Sequence, residues 1–117
     1  MTIRLVDFTP ELARSIPEFA SSGASSVELV HGDGESHVYA VHIAPGDSIG
    51  PHPAGFDQLF LVVQGSGWVA GGEGTRVSVG ANRSAFVPKG ELHSKGSETG
   101  MLAVMVQANR FSLAESA

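Results

Sequence analysis

The stretch that decides the fold of this chain is GDSIGPHPAGFDQLFLVVQG, residues 46–65. It contains a glycine-rich turn, one histidine (His52) and an apolar run that begins at Gln58. If these two residues lay on one straight strand, about six steps of about 3.3 Å would hold them about 20 Å apart, too far to share an ion. Pro51, just before His52, and Pro53 and Gly55, just after it, are turn residues. We therefore expect the chain to double back between His52 and Gln58.

Short apolar runs alternate with glycine-containing turns along the rest of the chain. The 15 glycines are spread at intervals, which is typical of an all-β sandwich or barrel. The predicted strands cover residues 3–8, 26–31, 37–43, 58–63, 68–70, 76–79, 84–87, 92–95 and 101–107.

One short helix is predicted near the N-terminus. Thr9 is suited to its N-cap and Pro10 to its first position, and Pro17 is expected to end it. At 117 residues the chain is long enough for one domain with a core and too short for two. The predicted division is an N-terminal arm with a strand and the short helix (1–25), a barrel (26–110) and a flexible tail (111–117).

Composition excludes several classes of site and partner. The sequence has no cysteine, which rules out disulfides, thiolate metal ligands and cysteine nucleophiles. A net charge of -5, with seven Lys and Arg residues scattered singly, argues against a nucleic-acid surface. No apolar run approaches the roughly 20 residues that span a bilayer, and no secretory signal is recognisable. We expect a cytoplasmic protein with no nucleic-acid or membrane partner.

A second informative segment is PKGELH, residues 88–93, which follows an apolar strand. Its proline and glycine bracket a turn that opens into a new strand. Strand alternation places Glu91 and His93 on one face, so the histidine has a carboxylate neighbour.

Together the two segments resemble the two motifs of the cupin superfamily. The first motif is Gly-x5-His-x-His-x3or4-Glu-x6-Gly, and Gly46, His52 and Gly65 match it. Ala54 stands at the place of the second histidine, and Gln58 stands at the place of the glutamate.

The second motif, Gly-x5-Pro-x-Gly-x2-His-x3-Asn, is matched by Pro88, Gly90 and His93. Asn82 occupies the position of the first glycine of this motif. After glycine, asparagine is the residue that best tolerates a positive φ. Ser97 replaces its closing asparagine. The resemblance implies an all-β, cupin-like double-stranded β-helix, that is, a jelly-roll barrel.

The resemblance also implies a metal site. Three of the four family metal positions are polar here, as His52, Gln58 and His93, and the implied cofactor is a divalent transition metal: Zn, Fe, Ni or Cu. Two imidazoles and an amide bring no negative charge, so Mg²⁺ and Ca²⁺ are not expected. Glu91 and Asp57 are candidates for the missing charge. The alternative is a cavity without metal, in which hydrogen bonds satisfy both histidines.

Two aromatic residues are predicted to contact substrate. Phe60 shares the face of Gln58 by strand alternation. Trp68, the only tryptophan, is the second candidate, with core packing as the alternative. The opposite face of the Gln58 strand is also apolar, which predicts that it packs on a second sheet, on the N-terminal arm or on a partner subunit. We expect a homodimer.

The resemblance suggests a metal-dependent enzyme acting on a small organic molecule, such as a dioxygenase, isomerase or cyclase. In that hypothesis Glu91 is the candidate catalytic residue that moves protons, and a histidine that is not bound to the metal is the alternative. The alternative is a non-catalytic, metal-free module that binds or senses a small molecule. A third possibility is a domain that serves chiefly as a partner subunit.

Overall fold

A computed structural model describes residues 3–114 of the chain. Within them the protein is built almost entirely of β-strands, as predicted. The elements are β1 (Arg4–Asp7), a 3₁₀ turn (Pro10–Leu12), β2 (Arg14–Ser15), β3 (Ser25–Ser26), β4 (Val30–Ile43), β5 (Asp47–Pro53), β6 (Asp57–Ala70), β7 (Arg76–Gly80), β8 (Arg83–Val87), β9 (Leu92–Ser97) and β10 (Met101–Leu113).

Strand β6 belongs to both halves of the barrel. Its first part pairs with β8 and β10, which extend to β1 and β4 in the order β1-β8-β6-β10-β4. Its second part, from Ser66 to Ala70, pairs with β7 and β9, and β9 pairs with β5. All of these pairings are antiparallel.

The two parts of β6 meet at Gly65, which has a φ of +80°. A Cβ at this position would overlap the carbonyl oxygen of Gly100 on the neighbouring turn. Only glycine meets both conditions, because it has no Cβ and accepts positive φ. The register between β6 and β10 also shifts here, between Leu102 and Ala103, so β6 changes partners and direction at one place.

The main apolar cluster occupies the barrel interior, between the two halves. Its buried members are Ile43, Phe60, Val62, Val69, Val79, Ala85, Met101 and Ala103. A second cluster, which includes Leu59, Phe86, Ala108 and Phe111, covers the other face of the sheet. Both faces of the first part of β6 are thus apolar, as the sequence predicted.

Two turn predictions are corrected. The glycine-containing segments around Gly32 and around Gly67 were expected to separate strands, but each lies inside one 14-residue strand, β4 and β6 respectively. In β4 the partner strand β10 accommodates the irregularity with a register shift between Ala108 and Arg110. Pairing with a long neighbour therefore overrides the local turn preference.

The predicted helix is also corrected. It is a single 3₁₀ turn that ends at Leu12 instead of continuing to Pro17, because Ala13 is extended, with a ψ of 146°. The next two residues form β2 and pair with β3. No helix within residues 3–114 has the length and apolar character needed to cross a membrane.

Residues 111–113, the first part of the predicted tail, complete β10 opposite the start of β4. Phe111 is buried there in the second apolar cluster, and apolar burial explains why the strand continues. Residues 115–117 of the predicted tail, and residues 1–2 of the arm, lie outside the described residues. Asn82 has a φ of +71°, which confirms the reason for placing it at a glycine position.

Candidate functional site

The two motif histidines face each other across neighbouring strands. His52 on β5 is the register partner of His93 on β9, and the centroids of the two rings lie 4.4 Å apart. A register shift between Ile49 and His52 inserts one extra residue into β5. Without this bulge His52 would be on the opposite face of the strand, since side chains alternate. The bulge therefore brings His52 to the face of the sheet that His93 shares, although His52 itself stays exposed.

Lys95 is the centre of the site. It is two residues after His93 on β9, so the two side chains share a face, and Lys95 is only 1% exposed. Its Nζ donates a hydrogen bond to Gln58 Oε1 at 2.5 Å and lies 3.0 Å from His93 Nδ1. The same atom is 4.8 Å from the centroid of the Phe60 ring. An amine thus joins the glutamine, the second-motif histidine and an interior aromatic ring.

Burial changes the proton affinity of this cluster. Desolvation lowers the pKa of Lys95 to about 7. Desolvation, with smaller contributions from the charges of Lys95 and His52, lowers the pKa of His93 to about 3. At neutral pH His93 is therefore uncharged, and the lysine exchanges readily between ammonium and amine.

The histidines differ in how their ring nitrogens are satisfied. His52 is exposed, and its Nδ1 lies 2.8 Å from the Gly50 carbonyl oxygen, which only accepts, so Nδ1 carries the proton. His93 is 1% exposed, and its Nε2 has no hydrogen-bond partner among the residues that the structure describes. A buried imidazole nitrogen without a partner is costly, and such a group is a common sign of a ligand-binding position.

The cluster does not fit the metal that the resemblance implies. Gln58 Oε1 and His93 Nδ1 are both occupied by the Lys95 amine, and the ammonium form of that amine repels a divalent ion. Across residues 3–114 no group of three or more His, Cys, Asp or Glu side chains is placed to hold a metal ion. A site of two imidazoles, an amide and a lysine also brings no negative charge.

Asp57 does not supply the missing charge. One of its oxygens accepts a hydrogen bond from the backbone N–H of Lys89 at 2.8 Å, and the other accepts one from Phe111 at 2.9 Å. This carboxylate therefore joins the turn at Lys89 and strand β10 to the start of β6. Ser97, at the place of the family asparagine, also has a structural role, since its Oγ donates to the Ser66 carbonyl at 2.6 Å.

Glu91 lines a cavity of about 190 Å³ beside the cluster. The cavity wall also contains Val69, which is the register partner of Lys95 on the adjacent strand. The remaining lining residues are Ile3, Leu5, Gly71, Glu73, Thr75 and Val77. The cavity therefore reaches the strand next to the lysine, with aliphatic walls and two carboxylates.

The two predicted substrate-binding aromatics lie in different places. Phe60 is fully buried in the interior, beneath Lys95. Trp68 follows the register shift in β6, so Val69 instead of Trp68 points into the interior cluster. The Trp68 ring packs on Gly96 and lies 3.8 Å from the Arg76 guanidinium. The structure brings Phe60 to the cluster and leaves Trp68 outside it; the substrate role of each stays a prediction.

Sequence reasoning missed Lys95, although a signal was present. The residue is two positions after His93 on a predicted strand, so alternation alone assigns it to the same face. Lysine is rarely buried without a partner, and a lysine at an interior position is therefore a strong functional indication. What the sequence does not show is that its amine reaches Gln58 on another strand.

Comparisons with known proteins agree with this architecture. The family model of the AraC-like ligand binding domain matches residues 36–109, a range that contains the whole cluster. No curated protein gives a significant match.

Several solved structures share the fold. A conserved Klebsiella pneumoniae protein with a double-stranded β-helix domain is 25% identical, with a TM-score of 0.59, over 91% of this chain and 93% of that one. A cupin superfamily protein from Desulfitobacterium hafniense is 15% identical, with a TM-score of 0.59, over 92% of this chain and 99% of that one. A Thermotoga maritima protein described as a predicted oxalate decarboxylase is 24% identical, with a TM-score of 0.54, over 66% of this chain and 65% of that one. The cupin fold inferred from the two motifs is confirmed.

Proposed function

We propose that this chain, which belongs to the family of AraC-like ligand-binding domains, binds a small organic molecule inside its barrel without the help of a metal ion. The binding groups in this proposal are Lys95 and His93, with Gln58 and Phe60 holding the lysine in place. Glu91 is at the wall of the adjoining cavity and contacts the part of the ligand that lies there.

The observation that carries the proposal is the position of the Lys95 amine. It contacts the two motif residues that a metal-binding cupin would use as ligands, Gln58 and His93. An amine supplied by the protein itself thus lies beside two of the residues to which the resemblance assigns a metal. The unpartnered Nε2 of His93 supports a ligand at the same place.

The sequence-based alternative is a metal-dependent enzyme, with Zn, Fe, Ni or Cu held by His52, Gln58 and His93 and with dioxygenase, isomerase or cyclase activity. It requires the amide oxygen of Gln58 to leave the lysine and the amine to move away. In that alternative Glu91 is the catalytic residue.

Elemental analysis and a thermal-shift screen together separate the two proposals. The wild-type protein is purified without an affinity tag or chelator, and its metal content is measured beside that of a His52→Ala, His93→Ala variant. The same protein is then screened against a library of small molecules with and without EDTA. A ligand that binds only the folded state raises the melting temperature.

We expect substoichiometric metal in both proteins and a ligand-dependent increase in melting temperature that survives EDTA. Near-stoichiometric metal that disappears in the double variant, together with stabilisation that EDTA abolishes, would overturn the proposal in favour of the metal-dependent enzyme. A screen without any stabilising ligand would contradict ligand binding as such.

A homodimer and a cytoplasmic location also remain proposals. The homodimer is supported by the outer face of the sheet, where Val38 is 67% exposed and adjoins Val106, which adjoins Leu59. An exposed apolar residue beside a row of apolar neighbours suits a contact between subunits. Sedimentation of the wild type and of a Val38→Lys variant tests it, and a wild-type monomer at micromolar concentration would contradict the homodimer.

A further inference from the structure

The barrel interior reaches the surface along the seam between strands β4 and β5. In the part of the chain that the structure describes, β4 pairs only with β10 and β5 only with β9, so no hydrogen-bonded ladder joins these two edge strands. The interior face of the sheet becomes more exposed toward this edge. Phe60 on β6 is fully buried, Met105 opposite it on β10 is half-buried, and Tyr39 opposite Met105 on β4 is 47% exposed. A molecule in solution therefore has access to the interior face at β4.

A row of polar side chains crosses the same face beside these apolar residues. Gln58 on β6 is the register partner of Gln107 on β10, and Gln107 is the register partner of His37 on β4. Directly opposite residues of an antiparallel pair point to the same side of the sheet. Neighbouring strands are about 4.8 Å apart, so the row extends about 10 Å from Gln58 to His37. It leads from the cluster around Lys95 to the seam.

Three aromatic rings form the rim of the seam at the outer end of this row. The rings of His37 and Tyr39 are nearly parallel, with 19° between their planes and 6.2 Å between their centroids. Phe56, just before β6, contacts His37 edge-on, with the ring centroids 5.3 Å apart. The Glu35 carboxylate lies 2.6 Å from His37 Nε2 and holds that ring in its orientation. Aromatic rings pack favourably on other π systems, so this partly exposed rim suits a planar molecule.

We propose that the ligand of this barrel has a planar, unsaturated ring, which stacks on the rim formed by His37, Tyr39 and Phe56, and an uncharged polar group, which binds the side-chain amide of Gln107. This inference rests on the proposed function, since it names the class of molecule that the barrel binds. The Gln58 oxygen already accepts from Lys95, and Gln107 is the amide of the row that is nearer to the rim. An amide both donates and accepts, so it matches a carboxamide, a lactam or a hydroxyl group.

The charges at the two ends of the row favour an uncharged ligand. The Glu35 carboxylate beside His37 disfavours an acid at the rim. The ammonium form of Lys95, in contact with Gln58, disfavours an organic cation at the inner end. Between these ends lies Gln107, whose hydrogen bonds with a neutral group need no opposite charge.

The test compares planar molecules with saturated counterparts that carry the same polar group. Benzamide is titrated against cyclohexanecarboxamide, phenol against cyclohexanol, and 2-pyridone against 2-piperidone. NMR follows the ring signals of His37 and Tyr39 and the side-chain amide signals of Gln107. Tyr39 is the only tyrosine of the chain, so its ring signals are assigned without ambiguity.

Three variants locate the contacts. Tyr39→Leu removes the ring and keeps an apolar side chain, and Gln107→Leu removes the amide. Phe19→Leu is the matched control, because it removes an aromatic ring that is 92% exposed on the N-terminal arm. Circular dichroism confirms the fold of each variant.

We expect at least one planar molecule to bind more tightly than its saturated counterpart and to shift the signals of His37, Tyr39 and Gln107. Tyr39→Leu should weaken its binding roughly 3- to 10-fold through the loss of one stacking contact. Gln107→Leu should weaken it by a similar factor through the loss of a hydrogen bond. Phe19→Leu should bind it as the wild type does. The comparison of planar with saturated molecules in the wild type stands without any variant.

The negative results are distinguishable. If the thermal-shift screen yields a ligand, but the planar molecules bind no more tightly than the saturated ones or leave His37 and Tyr39 unshifted, this inference is overturned while the proposed function stands. Shifts of His37 and Tyr39 without any shift of Gln107 would also overturn it, since they show stacking on the surface alone. If neither the probes nor any library molecule binds, the proposed function fails, and this inference fails with it.

Discussion

The barrel interior has a polar end and an apolar body, and both are shielded from solvent. The apolar body surrounds Phe60, Val62 and Ala85, each fully buried. The polar end contains His93 and Lys95, which are just as buried and have lowered pKa values. Apolar burial stabilises the fold, whereas burial of an ionisable group opposes it. The comparison teaches that the apolar body stabilises the fold, whereas the polar end lowers stability and is the part that binds the ligand in the proposed function.

The largest effect is expected in the apolar body. Phe60→Ala should lower the free energy of unfolding by about 3–5 kcal/mol, since it removes a fully buried ring and leaves a cavity. Urea unfolding measures this loss. Phe19→Ala is the control, because Phe19 is 92% exposed, and it should change the stability by less than about 0.5 kcal/mol. Similar losses of unfolding free energy in Phe60→Ala and Phe19→Ala would contradict the assignment of Phe60 to a stabilising apolar body.

The next effect concerns Lys95 between pH 7 and pH 9. Its pKa is about 7 in the folded protein, below the ordinary value of 10.5, so in this range the unfolded chain binds more protons than the folded one. Stability therefore rises with pH, by about 2 kcal/mol over these two units. Urea unfolding of the wild type and Lys95→Met at both pH values measures the difference. An equal rise in the two proteins would show that Lys95 is not responsible.

His93 gives an effect of similar size in the acid range. Its pKa falls from 6.5 to about 3 on folding, so the unfolded chain takes up a proton first as the pH decreases. The stability that the neutral ring contributes is complete above pH 6.5 and is lost on acidification, by about 2 kcal/mol between pH 7 and pH 5. His93→Gln should reduce this loss by that amount. If His93→Gln loses as much stability on acidification as the wild type does, groups other than His93 cause the loss.

The smallest effect is expected outside both parts of the interior. Arg76 lies over the ring of Trp68 on the outer face, and Arg76→Ala should cost about 0.5–1 kcal/mol by urea unfolding. In this variant the free energy of unfolding should depend on pH as it does in the wild type, in both the acid and the alkaline range. A change in either one would mean that Trp68 is coupled to the polar end, in agreement with its predicted role at the ligand.

Much of the site was visible in the sequence. The motif spacing singled out His52, Gln58 and His93, and the structure brings Gln58 and His93 together through one amine. Alternation over the short run from Gln58 to Phe60 was sufficient to place the ring in the interior, since no irregularity separates them. The same argument fails for Trp68, because the register shift near Gly65 reverses which residues face inward.

The sequence by itself determined the all-β class, the positive φ of Asn82 and the cupin motifs. These depend on residue type and on spacing over a few positions, which local sterics and side-chain alternation control. Only the tertiary structure decided that a bulge in β5 turns His52 toward His93 and that the Lys95 amine contacts Gln58 and His93, two of the implied metal ligands. Both depend on pairing between strands distant in the chain, and the energy of a buried charge is set by the groups that surround it.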